Sequence, residues 1–78
     1  MTLEIITPEK QLFKGEVSSV KIPGKTGEFE VLNNHASITS TLTKGIVRVI
    51  QSDKNTDHFE INGGVIEMQN NKIIILAD

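Results

Sequence analysis

A chain of 78 residues is expected to form one domain over 1–78, because at this length folding buries only about 60% of the unfolded surface and cannot supply two cores. The net charge of −2, from 8 basic and 10 acidic residues mixed along the chain, leaves no footprint for a polyanion and argues against nucleic acid as a partner. Cysteine is absent, which removes disulfides, iron–sulfur clusters, thiolate zinc sites and thiol nucleophiles together.

Apolar residues make up 37% of the chain and charged residues 23%, an ordinary balance that suggests neither disorder nor a membrane span. The longest apolar run, Ile73 to Ala77, falls far short of the roughly 20 residues that cross a bilayer. The first residues, Thr2-Leu3-Glu4-Ile5-Ile6-Thr7-Pro8, lack the basic region and long apolar stretch of a signal peptide, so a cytoplasmic location is expected.

Isoleucine, valine and threonine number 11, 6 and 7, while alanine occurs only at positions 36 and 77, a balance that favours strands over helices. In chain order, Leu3 and Ile5 alternate as a half-buried strand before the turn residues Pro8-Glu9-Lys10, and Gly15 marks a further break. Val20 and Ile22 lead into Pro23-Gly24-Lys25-Thr26-Gly27, a β-turn in which proline fixes φ and the glycines accept positive φ. Phe29 and Val31 alternate next, ending at Asn33-Asn34; Lys44-Gly45 then opens a run, Ile46-Val47 with Val49-Ile50, that is apolar on both faces around a solitary Arg48. The Arg48 side chain is expected at the surface.

Polar residues Ser52 to Asp57 precede Phe59 and Ile61, and Asn62-Gly63-Gly64 marks a bulge or sharp bend into a strand. Asn70-Asn71 separates Val65-Ile66-Glu67-Met68 from Lys72-Ile73-Ile74-Ile75 as the two-residue loop of a hairpin. The run Ile73 to Leu76 is again apolar on both faces, as for a central strand or a second contact surface outside the core. No segment keeps a 3.6-residue period for ten residues, so the fold class is all-β, a sandwich or barrel without a C-terminal helical hairpin.

Chemistry needs a constellation of groups, and no nucleophile beside a base and no facing carboxylate pair can be nominated. His35 and His58 have no second ligand at metal spacing, and the serines at 18, 19, 37, 40 and 52 lack a nucleophile elbow. Gly24-Lys25-Thr26-Gly27-Glu28 carries the residue types of a phosphate loop in the wrong order, and a strand-like Phe29-Glu30-Val31-Leu32 follows it instead of a helix. No catalytic residue, cofactor or metal is therefore expected.

Three segments taken in order resemble one family. Phe13-Lys14-Gly15-Glu16-Val17 leading to Val20-Lys21-Ile22-Pro23-Gly24, then Gly27-Glu28-Phe29-Glu30-Val31-Leu32-Asn33-Asn34-His35-Ala36, then Asn62-Gly63-Gly64-Val65-Ile66-Glu67-Met68 with Asn71-Lys72-Ile73 to Leu76-Ala77-Asp78, are similar to the N-terminal β-sandwich domain of bacterial and chloroplast F-type ATP synthase ε subunits. Their shared order and spacing cover nearly the whole chain. Asn33 and Ser37 stand where the family often has prolines, so a less restrained loop is expected there. The family continues after its final Leu-Ala-Asp into two helices and this sequence stops at Asp78, so neither inhibition by a helical arm nor nucleotide binding is expected.

The resemblance implies a ten-stranded flattened barrel that works as a non-catalytic rotor subunit of the central stalk. Its partners would be the γ subunit and the polar loops of the c-ring, and it would couple proton or other ion flow to ATP synthesis. Membrane association would be peripheral and only through the complex, as part of F1 on the cytoplasmic side of the inner (plasma) membrane. Ring contact is expected at Glu28, with Glu30 and His35 next. Contact with γ is expected at Leu12, Leu42 and Ile46, read as one exposed apolar patch. The rival reading is a free-standing β module whose Asn33 to Ser37 loop and His35 line a small-ligand pocket.

Overall fold

The computed structural model of the chain describes residues 1–78 and is built of strands alone. They are β1 Thr2–Ile6, β2 Gln11–Gly24, β3 Gly27–Leu32, β4 Ile38–Leu42, β5 Gly45–Gln51, β6 Thr56–Ile61, β7 Gly64–Gln69 and β8 Lys72–Ala77. The all-β class holds, with eight strands in place of the expected ten. The ten were what the resemblance implied; separately, Gly15, read from the sequence as a break, does not interrupt the chain. It stays inside the 14-residue β2, opposite Leu3 of β1, and beyond it a shift in the register with β5, between Val17 and Ser19, bends the strand.

That bend lets β2 serve two layers. Its first half pairs with β1, and its second half lies between β3 and β5. One layer therefore runs β3-β2-β5-β6 and the other β2-β1-β8-β7-β4, and a single pairing of Gly24 with Leu42 joins β2 to β4 at the far corner. β1 lies antiparallel to β2 and parallel to β8, so the first and last strands are neighbours.

Alternation along the strands fills the space between the layers. Leu3, Ile5, Val20, Ile22, Val31, Val47, Val49, Ile66, Ile73 and Ile75 are wholly buried, and Phe29 and Phe59 pack at the margin. Burying each large side chain contributes about 1.5 to 3 kcal/mol before entropy is counted. Phe13 of β2 meets Phe59 of β6 edge to face, with ring centroids 5.7 Å apart, which ties the two layers at one margin.

The turns follow their residue types. Asn70 and Asn71 take φ of 54° and 61°, the left-handed pair that a two-residue hairpin needs and that asparagine tolerates. At the β2–β3 turn Gly27 has positive φ, as expected, whereas Gly24 does not. Gly24 is required for space, since a Cβ there would stand 2.6 Å from the Gly27 carbonyl oxygen and 2.8 Å from the Phe29 ring. The bend before β7 places both Gly63 and Gly64 at positive φ.

Candidate functional site

The turns gather at two ends of the body. At one end lie the β2–β3 turn, the β4–β5 turn and Asp78, joined by backbone bonds from Lys25 to Thr41, from Thr43 to Pro23 and from Asp78 to Gly63. At the other lie Met1, the 33–37 loop and the β5–β6 and β7–β8 turns, joined by bonds from Thr2 to Asn71, from Ser52 to Glu16 and from Asn34 to Asn71.

This division separates the three residues expected to meet the ring. Glu28 stands on the first end, with its side chain 62% exposed and 3.5 Å from Lys21 Nζ, an open pair that holds it weakly. His35 stands beyond the opposite end of β3, its amide donating to the Leu32 carbonyl and its Nδ1 lying 2.8 Å from the Ala36 carbonyl. Glu28 and Leu32 alone are separated by about 13 Å of strand at ~3.3 Å per residue. Glu30 lies between them and is engaged internally. One carboxylate oxygen accepts from both Ser19 Oγ and Arg48 Nη2, the latter at 2.6 Å. Arg48 thus reaches the surface, as expected from its sequence, but is half-buried there in an ion pair, with its Nε buried and lacking an acceptor.

The three apolar residues expected to form one patch do not come together at the surface. Leu42 is 4% exposed and belongs to the core, because its strand turns it inward opposite Gly64. Leu12 is half-buried against that core. Ile46 is 51% exposed, on the outer face of the β3-β2-β5-β6 layer.

A different apolar surface covers the outer face of the other layer. Val65 of β7 sits opposite Leu76 of β8, which pairs with Ile6 of β1. One step along, Ile74 lies between Glu67 and Glu4. Val65 is 43% and Leu76 50% exposed. Thr39, Val65, Ile66, Glu67, Ile74 and Leu76 line an open groove of about 250 Å³ here. The signal for this face was the Ile73 to Leu76 run: once Ile73 and Ile75 turn inward, Ile74 and Leu76 must point out. Neither His35 nor any residue of the 33–37 loop lines the groove, so the pocket of the ligand-module reading is not where that reading put it. No helix is long and apolar enough to cross a membrane.

Comparison with known proteins places this geometry. The family model described as ATP synthase, Delta/Epsilon chain, beta-sandwich domain matches residues 1–78. The ATP synthase epsilon chain of Campylobacter curvus is 49% identical over 97% of this chain and 59% of its own length. That of Chlorobaculum tepidum is 46% identical over 99% of this chain and 88% of its own. The chain thus spans about three fifths of one relative and nearly nine tenths of the other. Among solved structures, a chain of the Euglena gracilis mitochondrial ATP synthase assembly of OSCP, F1 and c-ring superposes with a TM-score of 0.89 at 25% identity, covering 96% of this chain and 48% of that one. A chain of the Tetrahymena thermophila mitochondrial central stalk and c-ring shares the fold, with a TM-score of 0.79 at 18% identity over 99% of this chain and 62% of its own.

Proposed function

We propose a function from one premise: this chain belongs to the ATP synthase delta/epsilon β-sandwich family. It acts as a non-catalytic rotor subunit of the central stalk, gripping the γ subunit with one face and the c-ring with one end, so that ion flow through the ring is coupled to ATP synthesis. The observation that carries this reading is the uncovered face built on Val65, Ile74 and Leu76, because an apolar sheet surface of this kind needs a protein against it. We assign this face to γ, in place of the patch expected at Leu12, Leu42 and Ile46. Glu28, exposed at the turn end, is the proposed contact with the ring loops, while Glu30 serves the sheet.

Work by grip requires a body that does not shear. Two close-packed layers sharing one bent strand meet that need. Catalysis finds no support in the ionisable groups. The groove carries one, Glu67, and two acidic side chains elsewhere are taken up in the pairs Lys21–Glu28 and Arg48–Glu30. The test is co-purification with γ of the wild type and of Leu76→Asp. Loss of γ from a folded variant supports the assignment. Retention at wild-type affinity refutes it.

A further inference from the structure

The 33–37 loop is expected to be loosely held, since it has no proline and no strand pairing. Besides a 3.2 Å bond from the Met1 amino group to Asn33 Oδ1, two interactions shape it. The first is a local turn from Leu32 to His35, closed by a 3.2 Å bond from the His35 amide to the Leu32 carbonyl, with φ of 63° at Asn34 alone. A positive φ at only the third residue makes this a type II turn. The second comes from the opposite layer. The Asn71 side chain donates through Nδ2 to Asn33 Oδ1 at 2.9 Å and accepts through Oδ1 from the Asn34 amide at 2.9 Å. One primary amide thus holds two successive residues of the loop, using its donor and its acceptor together.

Asn71 is itself fixed on both sides. It occupies a left-handed position of the β7–β8 hairpin, and its carbonyl accepts the Thr2 amide at 3.2 Å. The same hairpin carries Val65, Ile74 and Leu76. We infer that Asn71 is a positioning residue: its side chain fastens the loop following β3 to the hairpin that seats γ, so that loop and seat present one rigid surface. A surface ordered in advance loses less freedom on docking, which slows dissociation of the complex. The docking half of this inference rests on the rotor reading; the fastening half stands on the geometry alone.

Asn71→Gly isolates the side chain. Asn-Gly is the favoured pair for a two-residue hairpin of this kind, so the turn is kept while both Asn71 side-chain bonds to the loop are lost and the Met1 bond to Asn33 remains. The expected result has two parts: amide exchange at Asn34 and His35 quickens roughly tenfold with the denaturation midpoint unchanged or raised, and dissociation from immobilised γ quickens several-fold. Adding Asn33→Pro to Asn71→Gly should reverse both, because proline suits the second position of a type II turn and Leu32 before it is already extended. Should Asn71→Gly lower the midpoint, exchange at Asn34 and His35 is read against that of the buried amides of β7 and β8, so that only an excess confined to the loop counts.

Unchanged exchange at Asn34 and His35 would overturn the fastening. Faster exchange with unchanged dissociation would overturn the positioning role and leave only a local brace. If the wild type fails to bind γ at all, the rotor reading fails, and exchange still decides whether Asn71 holds the loop.

Discussion

Glu30 gathers two donors on one oxygen, Ser19 Oγ and Arg48 Nη2, and this arrangement predicts how the residue behaves. Replacing Glu30 with alanine strands a half-buried guanidinium whose Nε already lacks an acceptor. Because both side chains keep partial contact with water, the loss should be modest, about 0.5 to 1.5 kcal/mol in urea denaturation. Binding to the ring should change little, since the carboxylate faces its own sheet. Gly64 is the sharper case. Its φ is 144°, and a Cβ there would run into the Leu76 carbonyl. Gly64→Ala should cost about 3 kcal/mol or more, read as a lowered denaturation midpoint, because backbone has to move on two strands.

Among elements, β8 gives the clearest contrast between fold and function. Ile75 is wholly buried and Leu76 half exposed on the outer face, one residue apart. Ile75→Asp should abolish the cooperative unfolding transition, as an unpaired carboxylate cannot be held in this core. Leu76→Asp should retain that transition within about 1 kcal/mol and lose only γ. The strands and their inward faces were legible in the sequence because a period of two leaves its mark on single residues, as at Leu3 and Ile5 or Val20 and Ile22. The Asn70-Asn71 hairpin was legible for its turn chemistry. The strand boundary at Gly15 was not, because glycine reads alike as a turn or as a strand residue. The face proposed for γ was half legible. Leu42 shares its face of β4 with Ile38, which packs on the core, so a period of two counted from Ile38 puts it inward. The Arg48–Glu30 pair spans strands 18 residues apart in sequence, a proximity that local pattern cannot reveal.

For the whole molecule, the ends and faces set what each partner feels. Glu28 sits in the open at one end, so a ring contact there should be steered by charge and fade with salt. Glu28→Lys should weaken association with isolated c-ring about fivefold at low ionic strength, and the difference should shrink as salt is raised. Stability should be nearly unaffected, since the Lys21 pair is exposed. Equal ring affinities for wild type and variant at low salt would move the contact elsewhere.

The parallel pairing of β1 with β8 also bears on how the protein comes into being. Of its two lateral neighbours, β1 acquires the second only when residues 72–77 have emerged from the ribosome. Until then the apolar side chains of Ile5 and Ile73 have no common interior to share. Acquisition of the native sandwich is thereby deferred until the last of its strands is available, and this places the burden of guarding the nascent segment on whatever greets it at the exit tunnel.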